Sequence, residues 1–213
     1  MLRGAWLRRV VGCLATVALI LLVAGCGASE SPAARSGPYP SPKRQLASLS
    51  VFRYRVPSGS MEPTLRAGQE VTVVPGSPRV GAIVVYYPPE GFATEECGPK
   101  AHVVKPGGAA CAIPLRRRSS LQLIKRIVAG PGDEIYIREG HVYRKARGES
   151  GFNREDDAYT RACGLSARCS FPVPIKIGTG RWFLMGDNRR ESDDSRFWGP
   201  VQTNWIVGAV STG

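Results

Sequence analysis

Histidine is scarce in this sequence: only His102 and His141 occur among 213 residues. A serine nucleophile that uses a histidine base needs that histidine beside an orienting acid in an apolar setting. His102 lies in a Gly- and Pro-rich stretch and His141 beside a predicted hairpin turn, so neither position offers a clear orienting acid. A Ser/His/Asp triad stays open on these grounds, but we expect both histidines at the surface.

Acidic residues are also few, with 17 Asp and Glu against 29 Lys and Arg, for a formal charge of +12. This excess favours contact with anionic partners such as nucleic acid, acidic proteins or lipid headgroups, and charge alone does not choose among them. No helix-turn-helix pattern is present, and a membrane-targeting segment opens the chain. We therefore expect no nucleic-acid partner.

Long helical periods and repeats of fixed length are absent. The chain instead carries short Val-, Ile- and Tyr-rich runs separated by Gly and Pro, which is typical of strands. We predict a mainly β fold, an antiparallel barrel or sandwich built from hairpins, one of which turns at Glu139 and Gly140. The predicted strand runs are EVTVV, GAIVVYY, LQLIKRIV, EIYI, HVYR, RWFLM and IVGAV.

The N-terminal apolar run, residues 10–24, is 15 residues long, whereas a spanning helix needs about 20. Basic residues precede it, so the rest of the chain should face outward from the cytoplasm. The run ends in LVAGC, which resembles a lipobox with Cys26 as the lipidated residue. A lipid anchor at Cys26 and a short transmembrane anchor both remain open, and either one keeps the protein at the cell membrane.

Composition divides the chain into three parts. Residues 1–25 form the predicted signal or anchor segment, and residues 26–48 form a Ser/Pro-rich linker with too few large apolar side chains to build a core. Residues 49–213 form the predicted folded domain. Within it, residues of about 91–118 and 145–176 are irregular and carry cysteines, and we expect them to be loops or small insertions.

Four cysteines follow the N-terminal segment, and an even number outside the cytoplasm suggests disulfides. Three pairings are possible. We favour the two local ones, Cys97 with Cys111 and Cys163 with Cys169, because each closes a Gly-containing loop. Neither pair has the CxxC spacing of a zinc knuckle, so we expect no metal.

The segment PSGSMEPTL, residues 57–65, places two serines around a glycine directly after a short strand-like run. A serine in such a loop can be exposed while neighbouring backbone N–H groups point at one spot, as an oxyanion hole requires. An SGS tripeptide alone is more typical of a plain turn.

Lys125 is the better candidate for a base. Strand alternation puts it on one face with Leu121, Leu123 and Ile127, so its amine is aimed at the expected core. Burial disfavours the ammonium and lowers a lysine pKa, which produces a neutral amine able to accept a hydroxyl proton. An edge strand with Lys125 reaching out to water is the alternative.

A third polar segment, residues 185–201, reads MGDNRRESDDSRFWGPV. Asp–Arg pairs and Asn caps would explain most of it as a structured turn. One of its hydroxyls could also reach the amine of Lys125 and orient it.

Together these segments resemble type I signal peptidases, the Ser/Lys family of serine peptidases. The three boxes are SGSMEPTL at 58–65, KRIVAGPGDEI at 125–135 and GDNRRESDDSR at 186–196, in the family's order and after an N-terminal anchor. The resemblance covers residues 51–85, 121–142 and 182–210. It leaves the two Cys-bearing stretches without correspondence.

The resemblance implies a signal-peptidase-like β domain with a reduced insertion domain, and a membrane-bound serine endopeptidase that removes signal peptides from exported precursors after Ala-x-Ala sites. It implies Ser60 as nucleophile and Lys125 as general base. Ser58 would contribute to the oxyanion hole and Ser192 would orient the lysine. Structural support would come from the box-three residues Asp187, Asn188, Asp194 and Arg196. The apolar substrate-pocket positions would be Val56, Pro57, Met61, Leu65, Leu123 and Ile124.

The resemblance implies no cofactor and no metal. The partners would be exported precursor proteins and membrane lipid, and we expect a monomer with its catalytic domain on the extracytoplasmic side.

The sequence departs from the family pattern in two places. Arg190 and Glu191 replace the Asp-Asn often found in the third box, and only about 50 residues separate the second and third boxes. A non-catalytic envelope lipoprotein and a peptidase dedicated to one substrate, such as a pilin, remain alternatives.

Overall fold

The structure is a computed structural model that describes residues 51–98, 102–104, 106–113, 115–161, 163 and 167–211. Short strands dominate it, and α1 is a single turn, Ser195–Trp198. The predicted mainly β class is confirmed. The strands are β1 Phe52–Arg55, β2 Glu70–Val74, β3 Ile83–Tyr86, β4 Glu96–Cys97, β5 His102–Val103, β6 Leu123–Ala129, β7 Glu134–Arg138, β8 His141–Lys145, β9 Asn153–Arg154, β10 Phe171–Lys176, β11 Arg181–Met185, β12 Val201–Gln202 and β13 Ile206–Val210.

The larger sheet is antiparallel and has the strand order β1-β2-β13-β3-β6-β11-β12. β6 lies inside it, between β3 and β11. Val84 of β3 is directly opposite Lys125, so the lysine occupies an interior position of the sheet. The alternative of an edge strand, with Lys125 reaching solvent, does not apply.

A second sheet has the order β10-β7-β8-β9. Its central hairpin turns at Glu139 and Gly140, where both residues have positive φ angles of 53° and 87°, as a tight two-residue turn requires. All seven predicted strand runs appear as strands in these two sheets, and β4 and β5 form a separate two-stranded sheet.

One expectation was wrong: the stretch 145–176 is not irregular throughout. Its last six residues form β10, which pairs with β7. The sequence FPVPIK contains Pro172 and Pro174, which cannot donate ladder hydrogen bonds and therefore argue against a strand. β10 tolerates them because it lies at the sheet edge, and its register shifts between Phe171 and Ile175.

The apolar core consists of three clusters. The largest joins the second sheet to β11 and α1, and includes Phe171, Phe183, Phe197 and Trp198. The second cluster lies beneath the serine-bearing loop, and the third covers the β3–β6–β11 face that carries Lys125. The second cluster contains Val56, Met61, Leu65, Val71, Val73, Ile83, Val85 and Ile124.

Both sequence-local disulfides are present, Cys97–Cys111 and Cys163–Cys169, with Cα–Cα distances of 5.6 and 5.9 Å. No helix in the described ranges is long and apolar enough to cross a membrane. Cys26 and the predicted boundaries at residues 25 and 48 lie outside the described residues.

Candidate active site

Ser60 and Lys125 meet although 65 positions separate them in the sequence. Ser60 belongs to the 3-10 turn Gly59–Met61, which follows β1, and is half-buried. The Nζ atom of Lys125 lies 2.6 Å from Ser60 Oγ. The Ser58 hydroxyl lies 3.3 Å from the same oxygen. A nucleophile candidate, an amine and a second hydroxyl therefore converge on one atom.

The environment of Lys125 makes the neutral amine more accessible than it is in a free lysine. Only 4% of the residue is exposed, and its burial lowers the pKa of the side chain from 10.5 to about 8. Asp194 acts in the opposite direction and raises the pKa, while Arg196 lowers it again. Burial has the largest effect because it removes the water that would stabilise an ammonium.

A buried ion pair supports the segment next to Lys125. Arg196 donates from Nε to Asp194 Oδ1 at 2.8 Å and from Nη2 to Asp194 Oδ2 at 2.9 Å, and both residues are completely buried. Burial raises the pKa of the Asp194 carboxyl, but Arg196, the Gly186 N–H and Lys125 together outweigh this effect, and the pKa lies below its usual value. The ion pair itself is present, and its supporting role stays a prediction.

Ser192 is buried beside this pair. Its hydroxyl donates to Asp194 Oδ2 at 2.8 Å. Ser192 and Lys125, both within the described ranges, form no hydrogen bond with each other. The role of Ser192 in orienting the lysine therefore stays a prediction.

Asp187 and Asn188 tie the third box to the serine loop. The Asn188 backbone N–H donates to the Ser60 carbonyl at 3.0 Å, and its side-chain amide donates to the Gly59 carbonyl at 3.2 Å. Asp187 accepts a hydrogen bond from Thr64 Oγ1 at 2.6 Å. These contacts hold the backbone of Ser60 against residues 186–188.

Arg126, the residue after Lys125, was not singled out from the sequence. It forms a bidentate pair with Asp187, Nε to Oδ1 at 2.9 Å and Nη2 to Oδ2 at 2.7 Å. The available signal was strand alternation along β6, which places Arg126 on the face opposite Lys125. β6 thus supplies both the amine and an anchor for the third box.

Ser60 and Lys125 open into a cleft of about 300 Å³. Ser58 and Leu123, two of the predicted site residues, also line it. The sequence did not identify the remaining lining residues, which come from the Cys-bearing stretch after β3, from the third box and from α1. They are Phe92, Ala93, Glu191, Asp193 and Trp198.

The other residues predicted to contact substrate lie elsewhere. Pro57 is exposed, and the remaining four pack into the apolar cluster under the serine loop without lining the cleft. Their proposed contact with substrate stays a prediction. The four are Val56, Met61, Leu65 and Ile124.

His141 differs from its prediction. It is half-buried, and its Nδ1 atom lies 2.9 Å from Oδ2 of Asp157, a buried carboxylate that would be an orienting acid. Sequence inspection missed this acid because it lies 16 positions away. Neither residue lines the cleft of Ser60. For His102 the structure describes the backbone in β5 and not the side chain.

The fold and the site define a class of protein: a small β domain in which a serine hydroxyl is held against a buried lysine of lowered pKa, the arrangement by which an amine can activate a serine nucleophile. The chain belongs to the signal peptidase family, peptidase S26, whose model matches residues 46–212.

Individual relatives agree with this assignment. The chain is 30% identical over 159 residues to a probable signal peptidase I-1 of Synechocystis sp. strain PCC 6803, covering 72% of this chain and 65% of the relative. It is 31% identical over 159 residues to thylakoidal processing peptidase 1, chloroplastic, of Arabidopsis thaliana, covering 72% of this chain and 38% of the relative. The chain thus spans less than two thirds of the length of these relatives.

Among solved structures, signal peptidase I of Enterococcus faecalis V583 matches with 18% identity and a TM-score of 0.36. The match covers 64% of this chain and 99% of that chain.

Gly186, the first residue of the third box, tests how tightly the site is packed. A Cβ atom there would lie 2.5 Å from the Ser60 carbonyl oxygen and would also collide with the side chain of Ser192. Gly186→Ala should therefore lower the free energy of unfolding by about 3 kcal/mol, measured by chemical denaturation.

Gly151→Ala is the matched control, since a Cβ atom at Gly151 meets nothing within 4 Å. It should change stability by no more than about 0.5 kcal/mol. Equal stabilities for the two variants would contradict the close contact at Gly186.

Proposed function

We propose that this protein is a serine endopeptidase that removes N-terminal signal peptides from exported precursor proteins. Ser60 is its nucleophile and Lys125 its general base. The observation that carries the proposal is the 2.6 Å contact between the Lys125 amine and the Ser60 hydroxyl at a position where the lysine is 4% exposed. Family membership supports the same activity.

The proposed reaction is an acyl transfer. Neutral Lys125 accepts the proton of Ser60 Oγ as this oxygen attacks the scissile carbonyl carbon, and the Ser58 hydroxyl with the Ser60 N–H stabilises the oxyanion. The protonated lysine then gives its proton to the departing amine, and the peptide bond breaks. Lys125 then accepts a proton from water as the water oxygen attacks the acyl carbon, and returns this proton to Ser60 Oγ as the bond between Ser60 Oγ and the acyl carbon breaks. These steps require no metal and no organic cofactor.

The apolar part of the cleft lining supports cleavage after small residues. Phe92 and Trp198 form one wall, with an edge-to-face contact between ring centroids 5.8 Å apart, and Leu123 lies on the strand that carries Lys125. These apolar side chains suit a small apolar residue of the substrate. We propose that Ala-x-Ala sites fit this space.

Two disulfides and the basic, apolar N-terminus support a location at the cell membrane with the domain outside the cytoplasm. Exported precursors and membrane lipid are the proposed partners, and the proposed oligomeric state is a monomer. The proposed domain division is the one that composition predicts, with the catalytic domain from residue 49 onward.

Substitution of Ser60 and Lys125, the proposed catalytic dyad, tests the activity directly. Ser60→Ala and Lys125→Ala should each lower kcat/KM on an Ala-x-Ala precursor peptide by at least about 10³-fold, because nucleophile and base act as a unit. Lys125→Arg should fail as well, since a guanidinium keeps its charge. Peptide cleavage followed by mass spectrometry measures the loss.

Ser150→Ala and Lys176→Ala are the matched controls at exposed positions, and both should keep normal activity. Cleavage by Ser60→Ala or Lys125→Ala at more than a tenth of the normal rate would rule out the dyad, provided that circular dichroism shows a folded protein.

The pH profile follows from the lowered pKa. Lys125 must be neutral to act, so kcat/KM should rise with pH and reach half its maximum near pH 8, where the amine has lost half its protons. A free lysine would place this limb near 10.4. His141→Gln should leave the limb in place. If this limb disappears in His141→Gln and most of the activity is lost as well, His141 is the base and the assignment of Lys125 is wrong.

The membrane anchor gives a further prediction. Intact-mass analysis of protein purified from its native membrane should show a chain that begins at Cys26 and carries lipid, as the LVAGC sequence indicates. A mass equal to the uncut chain would favour a transmembrane anchor instead.

A further inference from the structure

The cleft carries negative charge in a strongly basic protein. Two carboxylates, Glu191 and Asp193, line it beside Ser60 and Lys125. The chain as a whole has a formal charge of +12. A local charge that opposes the net charge acts on whatever enters the cleft, because clefts focus the field of the groups that line them.

Backbone geometry accounts for the orientation of these carboxylates. Ser192 has extended dihedrals, φ −125° and ψ 124°, so side chains alternate around it. Ser192 and Asp194 point into the protein and are buried, whereas Glu191 and Asp193 are exposed toward the cleft. The packing that supports the ion pair of Asp194 and Arg196 therefore also presents two acids to the cleft.

Glu191 has no cation of its own. One of its oxygens accepts a 3.3 Å hydrogen bond from the Asn188 amide, and within the described ranges Glu191 forms no salt bridge. The neighbouring Arg190 is exposed and does not line the cleft. This carboxylate is available to a ligand.

Asp193 is only partly neutralised. Arg168 donates from Nη2 to Asp193 at 2.6 Å, but the same guanidinium also pairs with Glu95. Two carboxylates thus share one guanidinium. Burial and the nearby Glu95 both raise the pKa of Asp193, while Arg168 lowers it, and the net shift is upward. A further cation would relieve this crowding of negative charge.

We propose that the cleft selects precursors with a lysine or arginine within a few residues of the scissile bond, and that Glu191 and Asp193 recognise this side chain. The inference rests on the proposed peptidase function and adds a specificity determinant to it. A neutral cleft would select only for small residues at the cleavage site. The acidic lining adds an electrostatic preference for a basic residue nearby.

The test uses the full chain in a neutral detergent with matched Ala-x-Ala peptides. Each peptide carries Lys or Gln at one position, either x or one of the three residues after the bond. For at least one position the Lys peptide should have a kcat/KM about fivefold higher than the Gln peptide, the size expected for one partly exposed charge pair. High salt should reduce this ratio.

For each variant we compare the kcat/KM of the Lys peptide with that of the Gln peptide. A general loss of activity affects both peptides equally and cancels in this ratio. Glu191→Gln and Asp193→Asn should each bring the ratio toward one. Glu70→Gln changes the net charge equally, but Glu70 lies on β2 and pairs with the exposed Arg55, so the ratio should stay as in the unmodified protein. A ratio of one at every position, or an unchanged ratio in Glu191→Gln, would overturn the inference.

Binding separates this inference from the peptidase proposal. Ser60→Ala protein should bind a fluorescent Lys peptide about fivefold more tightly than its Gln counterpart, measured by anisotropy. Tighter binding of the Lys peptide without any cleavage by the unmodified protein would refute the activity and keep the charge selection. Cleavage with equal affinities and equal rates would keep the activity and refute the selection.

Discussion

The ion pair between Asp194 and Arg196 is the interaction on which the site depends. Removing two charges from water is costly, and a pair of this kind is maintained only when its remaining donors and acceptors are also satisfied. Here Asp194 also accepts from the Gly186 N–H and the Ser192 hydroxyl, and Arg196 also donates to the Ser192 and Arg168 carbonyls. The pair thereby holds residues 186–196 in one arrangement beneath the cleft.

The same pair also affects the state of Lys125. Asp194 alone would stabilise the ammonium and raise the lysine pKa, but Arg196 compensates much of that negative charge. The amine is left with burial as the main influence, and burial favours the neutral form. A structural ion pair and a base of lowered pKa are therefore two consequences of one packing arrangement, and the alternation around Ser192 adds the acidic lining of the cleft.

Local pattern predicted much of the fold. Period-two runs identified seven strands, and the Glu139–Gly140 turn identified the β7–β8 hairpin, because both signals depend on neighbouring residues. The prolines of β10 concealed a strand, since only its position at a sheet edge makes them acceptable. The acid beside His141 was missed for a similar reason: Asp157 reaches it through the fold and not through local sequence.

The sequence by itself determined the family through its three boxes, and it determined that Lys125 shares a face with Leu123 and Ile127. Only the tertiary structure decided that β6 lies inside a sheet, that Ser60 comes within 2.6 Å of the amine, and that Phe92, Trp198, Glu191 and Asp193 complete the cleft. The physical reason is that local patterns specify the direction of a side chain, whereas burial, and with it the pKa of Lys125, depends on contacts between segments far apart in the chain.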